Sequence, residues 1–146
     1  MKIKISKKWL VFILFCGYLL FCQSCMRMRM SPKKTTEYFS KSNTSFTDVT
    51  FKISEAHQIH YIETGDSTKP TLIFLHGSPG SWDAYKTYLS DSDLQKKYRL
   101  IAIDRPGFGY SNFGEAEDLN AQASLILPFI QSNNNNQPIT LIGHSM

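Results

Sequence analysis

Three short apolar runs constrain this chain more than any other feature. They are Thr71–Leu75 (Thr-Leu-Ile-Phe-Leu), Tyr98–Ile103 (Tyr-Arg-Leu-Ile-Ala-Ile) and Pro138–Ile142 (Pro-Ile-Thr-Leu-Ile). None alternates apolar with polar, so each reads as a strand buried on both faces, as in a parallel sheet. The first and second are separated by a segment that could hold a helix from Trp82 to about Leu89, with Ser81 as its cap. The second and third are separated by a helical pattern over about Leu119–Gln131. Its apolar face is read as Leu119, Ala123, Ile126 and Ile130, with a kink expected at Pro128. Strand, helix, strand, helix, strand implies right-handed crossovers and a largely parallel α/β sheet. Two alternating runs, Phe46–Ile53 and Gln58–Glu63, precede it as an opening β-hairpin with His57 in its turn.

Each buried run ends in a distinctive loop. His76-Gly77-Ser78-Pro79-Gly80 follows the first, Asp104-Arg105-Pro106-Gly107-Phe108-Gly109-Tyr110-Ser111 the second, and Gly143-His144-Ser145-Met146 the third. Functional groups of open parallel sheets lie beyond the carboxyl ends of the strands, which is where all three loops fall.

In this order and spacing the three loops resemble those of the α/β-hydrolase family. Gly143-His144-Ser145-Met146 is similar to the start of its nucleophile elbow, G-x-S-x-G. The resemblance covers about residues 46–146 and implies a serine hydrolase acting on an ester, amide or related carbonyl bond. Ser145 would be the nucleophile. The backbone N–H groups of Ser78 and Met146 would form the oxyanion hole. His76, Gly77, Pro79 and Gly80 would support the first loop, and Gly143 would leave room for the elbow. Asp104 would hold its own loop by hydrogen bonds, while Tyr110 and Ser111 shape it. His57, His60, His76 and His144 are expected to be outside the chemistry. The family order is Ser, Asp/Glu, His, and the sequence stops one residue before the elbow's final glycine. The resemblance therefore implies an N-terminal portion, inactive by itself, whose last strand has an exposed edge. Cofactor-free haloperoxidases and carbon–carbon bond hydrolases share these loops and stay open as alternatives. So does a non-catalytic exported binding lipoprotein. An aspartate at position 145 would have pointed to epoxide hydrolases.

Charge separates the N-terminus from the body. Eight of the 16 basic residues precede residue 35, and no acidic residue occurs before Glu37. The rest has 8 basic against 12 acidic residues, a net of −4, so the body has no basic nucleic-acid footprint. Lys2, Lys4, Lys7 and Lys8 followed by an apolar run, Trp9–Phe21, read as a secretory signal over residues 1–25. Ser24-Cys25 resembles a bacterial lipoprotein processing site, with Cys25 as the lipidated residue. A membrane-attached exported protein is the expectation; an inner-membrane signal anchor and a soluble periplasmic protein are the alternatives. Residues 26–45 read as a polar tether and 46–146 as the domain. All three cysteines, Cys16, Cys22 and Cys25, lie in the signal segment, so the body uses neither disulfides nor cysteine-bound metal. No metal or cofactor is expected; the partners expected are a small-molecule substrate and a membrane.

Overall fold

The computed structural model describes residues 6–25, 29–112 and 118–145, and of residues 21–25 the backbone alone. Eleven elements follow one another: α1 (Lys7–Cys25), α2 (Pro32–Lys41), β1 (Thr47–Lys52), β2 (Gln58–Gly65), β3 (Thr71–Leu75), a 3₁₀ turn (Trp82–Tyr85), α3 (Lys86–Leu89), α4 (Ser92–Gln95), β4 (Arg99–Ile103), α5 (Leu119–Ser132) and β5 (Ile139–Gly143). The five strands form one mixed sheet in the order β1-β2-β4-β3-β5. The three apolar runs pair in parallel, β4 with β3 and β3 with β5. The opening hairpin adds β1 and β2 antiparallel to each other, and β2 antiparallel to β4. The result is the expected α/β sheet of a partial domain.

The central strands alternate between two cores, which is why their sequences are apolar throughout. Leu100 and Ala102 of β4, Phe74 of β3 and Ile62 of β2 face one side, where they meet Phe39, Trp82, Tyr85 and Leu89. Ile101, Ile103, Ile73, Leu75, Ile59 and Tyr61 face the other, against Ile126 and Phe129 of α5. Helices therefore cover both faces, as a sheet buried on both sides requires. Gly65 ends β2 with φ +82°, and a methyl there would lie 2.4 Å from the Tyr98 carbonyl oxygen. Only glycine fits that crossing.

Four details differ from the sequence reading. Residues 32–41 form a docked helix where a tether is expected. Ser31 caps it, Pro32 opens it, and Thr35 and Phe39, one turn apart, are buried. Phe39 is fully buried, stacked between Phe46 (4.6 Å between ring centroids) and Trp82 (6.0 Å). A single aromatic in a polar helix is too weak a pattern to announce burial. Second, Trp82–Leu89 is a 3₁₀ turn followed by one α-helical turn. Third, Ser81 makes no capping bond, because its hydroxyl donates to Asp83 (2.6 Å). The Trp82 N–H is satisfied instead by the buried carboxylate of Asp104 (2.7 Å). Fourth, α5 buries Ile126 and Phe129, while Leu119 and Ala123 are exposed. Its axis is rotated so that Phe129 meets the rings of Phe51 and Tyr61.

β5 pairs on one side only, and Leu141 is 49% exposed. Apolar clefts of about 600 Å³ (Phe74, Tyr85, Tyr88, Ile142) and about 450 Å³ (Leu119, Ile126, Leu127, Leu141) flank it on the two faces of the sheet. Both are consequences of that edge position. In α1, Trp9–Phe15 and Tyr18–Leu20 are largely exposed. Among the described residues no helix is long and apolar enough to cross a membrane.

Candidate active site

The three loops singled out in the sequence meet at the carboxyl edge of the sheet. Ser145 follows β5 by two residues, is exposed, and has φ +52°. Left-handed backbone at a serine costs of order 1–3 kcal/mol and persists only where the surroundings impose it. Here two constraints act: the His144 N–H donates to the Leu75 carbonyl (3.3 Å), and the Gly77 backbone lies directly against the turn. A methyl on Gly77 would sit 2.7 Å from the Ser145 carbonyl oxygen, 2.9 Å from the His144 carbonyl oxygen and 2.9 Å from the Ser145 Cβ. The loop carrying Ser78 and the bend carrying Ser145 thus share one space. Gly143 is the last residue of β5, opposite Leu75. Met146 and the side chain of Cys25 lie outside the described residues.

The loop of residues 76–80 is held from below by His76. Its Nε2 accepts from the Arg105 N–H (3.0 Å), so the ring proton sits on Nδ1, which donates to the Gly77 carbonyl (2.7 Å). Burial pushes the His76 pKa down, which keeps the ring neutral and this bonding pattern intact. Gly80 packs on the same ring; a methyl there would come within 2.9 Å of the Gly77 oxygen and 3.1 Å of His76 Nδ1. The Ser78–Pro79 peptide is cis.

Asp104 organises the neighbouring loop. Its fully buried carboxylate accepts from the N–H groups of Trp82 (2.7 Å) and Tyr110 (2.8 Å) and from His60 Nδ1 (2.8 Å). Gly109, at φ +55°, passes so close that a methyl would lie 2.0 Å from that carboxylate. Ser111 bridges the same region, donating to the Asp104 carbonyl (2.6 Å) and accepting from the His60 N–H (3.0 Å). His60 is a strut: its second nitrogen reaches Asp48 on β1 (2.9 Å). Burial opposes its charge, but the two carboxylates outweigh burial and raise its pKa. Each nitrogen faces a carboxylate oxygen, which can only accept, and the raised pKa favours the protonated ring in which both nitrogens donate. The sequence reading treated His60 as structural without a role. The signal available was a histidine inside an apolar strand, with acids on two elements that could neighbour it.

The sequence reading also missed Arg29. Its guanidinium donates to the Gly109 carbonyl and lies 3.9 Å over the Tyr110 ring, while the Tyr110 hydroxyl donates to the Met30 carbonyl (3.1 Å). Contacts spanning 80 residues leave no trace in a local pattern. The His57 ring pairs with the Ser54 hydroxyl in the hairpin turn (3.3 Å). No group of three His, Cys, Asp or Glu among the described residues could hold a metal ion.

Residues 70–146, more than half of the chain, match the family model described as alpha/beta hydrolase fold. The chain belongs to the alpha/beta hydrolase fold family. It is 36% identical over 55 residues to epoxide hydrolase 1 of Caenorhabditis elegans, an alignment covering 38% of this chain and 13% of that protein. It is 26% identical over 132 residues to protein phosphatase methylesterase 1 of Bos taurus, covering 85% of this chain and 35% of that one. Among solved structures, a bacterial membrane phospholipase A superposes with a TM-score of 0.63 at 24% identity, over 93% of this chain and 41% of that chain. That likeness is one of fold. The chain spans about a third or less of the length of these curated relatives.

Proposed function

We propose that this chain is the nucleophile-bearing part of a serine hydrolase that cleaves an acyl bond through a covalent acyl-enzyme. The observation that carries the reading is the left-handed bend at Ser145, pressed against Gly77 at the end of a buried parallel strand. A hydroxyl there is exposed to substrate, and strain of this kind clusters at functional sites. Ser145 Oγ attacks the acyl carbon, and the N–H groups of Ser78 and Met146 donate to the oxygen that becomes negative. One such donor is worth about 10²–10³ in rate. Collapse expels the alcohol or amine, which takes the proton removed from Ser145. Water then hydrolyses the acyl-enzyme and restores the hydroxyl.

A serine needs a positioned base. His60 and His76 are committed on both nitrogens, and His57 is in the hairpin turn. His144 directly precedes Ser145 and lines the cleft beside Tyr85 and Ile142. We assign the base and its orienting acid to chain outside these 146 residues, and expect this stretch alone to be inactive. No cofactor enters this chemistry.

Epoxide opening is the second reading, favoured by the 36% identity to an epoxide hydrolase over 55 residues. Ser145 weighs against it. Attack by a serine oxygen on an epoxide carbon forms an ether, which has no carbonyl for water to attack, so the enzyme would be trapped after one turnover. A carboxylate nucleophile gives a hydrolysable ester instead.

The protein is further proposed to be exported and attached to a membrane, through a lipid on Cys25 or through α1. The basic, acid-free N-terminus and the exposed apolar surface of α1 support this. The test is fluorophosphonate treatment of the native full-length protein. Phosphonylation should map to Ser145 and vanish in Ser145→Ala; an unmodified Ser145 in folded protein overturns the reading.

A further inference from the structure

The N-terminal arm attaches to the body at the rim of the candidate active site, not at its back. The path can be followed contact by contact. Arg29 grips Gly109 and Tyr110. Phe108 of the same loop packs edge-on against the His76 ring, 5.3 Å between centroids. His76 holds Gly77, and Gly77 touches Ser145. All of these lie at the carboxyl edge of the sheet. The turn at residues 66–69, by contrast, precedes β3 at the opposite edge.

Chain reach turns this into an orientation. Three residues separate Cys25 from Arg29, so their Cα atoms are four steps and at most about 14 Å apart. A lipid on Cys25, or a membrane-embedded α1, would hold the Arg29 rim within that distance of the bilayer surface. The charge agrees. Arg29 and the exposed Lys33 and Lys34 at the start of α2 follow the anchor segment in sequence with no acidic residue before Glu37, matching an anionic lipid surface.

We infer that the Arg29–Tyr110 clamp turns the mouth around Ser145 toward the bilayer, so that the substrate is an acyl ester resident in the membrane. This rests on the membrane-attached serine hydrolase reading above. Freely tethered, the body would present every face equally; clamped, it presents the one that bears the nucleophile.

The experiment uses the native full-length protein reconstituted into phosphatidylglycerol-containing vesicles. Two substrates are compared: a bilayer-resident fluorogenic phospholipid ester and a water-soluble short-chain nitrophenyl ester. Two variants are compared with it. Arg29→Ala removes the guanidinium contacts of the clamp and leaves the Tyr110–Met30 bond, and a flexible Gly/Ser insertion of about ten residues before Arg29 leaves the clamp intact while releasing the distance constraint. Both should lower kcat/KM on the bilayer ester by about tenfold, a misplacement effect, and leave the soluble ester and fluorophosphonate labelling unchanged. Equal rates on the bilayer ester for all three proteins, or a wild type that hydrolyses the soluble ester alone, overturn the inference. Should Arg29→Ala fail to fold, the insertion decides it. Failure of the underlying reading looks different: no labelling of Ser145 defeats the hydrolase, and failure to float with the vesicles defeats the attachment.

Discussion

Gly77→Ala tests the shared space between the two loops most directly. The added methyl would meet the Ser145 carbonyl oxygen at 2.7 Å and both the His144 carbonyl oxygen and the Ser145 Cβ at 2.9 Å. Real Cβ contacts rarely fall below 3.0–3.4 Å, and all three obstructing atoms belong to backbone or to a Cβ, which cannot swing aside. The bend and the residue 76–80 loop must therefore separate by roughly 0.5 Å, about the tolerance within which a catalytic constellation has to be held. A misplacement of about 1 Å costs about 10² in rate, so half of that should cost about tenfold, or ~1.4 kcal/mol of transition-state stabilisation. The assay is the second-order rate of fluorophosphonate phosphonylation of the full-length protein, with a thermal melt beside it. The bend is solvent-exposed, so the stability loss should stay near the ~1 kcal/mol lower end of overpacking effects. A phosphonylation rate within twofold of wild type, with an unchanged melt, would mean that the Ser78 loop takes no part in acylation at Ser145.

Phe39→Ala should cost about 3–5 kcal/mol, the usual range for a fully buried aromatic, and lower Tm by at least ~6 °C in a domain of about 150 residues or more. A drop under about 3 °C would mean that α2 is not docked. The His60 strut predicts a pH dependence. Its folded pKa is raised, so its stabilisation is complete below the unfolded value near ~6.5 and is lost as pH rises through the folded pKa. The stability gap between wild type and His60→Gln, measured by urea melts from acid to alkaline pH, should therefore be widest at the acid end of that window and narrow as pH rises. A gap that widens with pH would contradict an imidazolium between Asp48 and Asp104. Gly109→Ala, which drives a methyl into the Asp104 carboxylate, should destabilise by about 3 kcal/mol or more, as disrupted buried charge networks do, and a melt within ~2 °C of wild type would refute the network's importance.

The strands and the three loops that follow them were legible in the residue order because their determinants are local. A run such as Thr71–Leu75 carries no polar alternation only if both its faces are covered, and the loops after the three runs become readable as a set through their resemblance to one family. The bounds of β3 fall on the residues expected, and those of β4 and β5 within a residue. The bend at Ser145 was legible through the resemblance of Gly143-His144-Ser145-Met146 to the start of a nucleophile elbow.

What the residue order could not convey was which distant groups would meet. Phe39 becomes core only because Phe46 and Trp82 stand on either side of it. Asp104 becomes the cap of the turn at Trp82, displacing Ser81, because β3 and β4 are parallel neighbours and bring the two loops to one edge. His60 becomes a strut because the antiparallel pairing of β2 with both β1 and β4 sets a carboxylate on each side of it. Arg29 reads as one more basic residue of a polar arm until the sheet delivers Tyr110 beneath it. Burial patterns repeat along the chain and can be read there. A partner 40 to 80 residues away is selected by topology, and only the folded molecule states it.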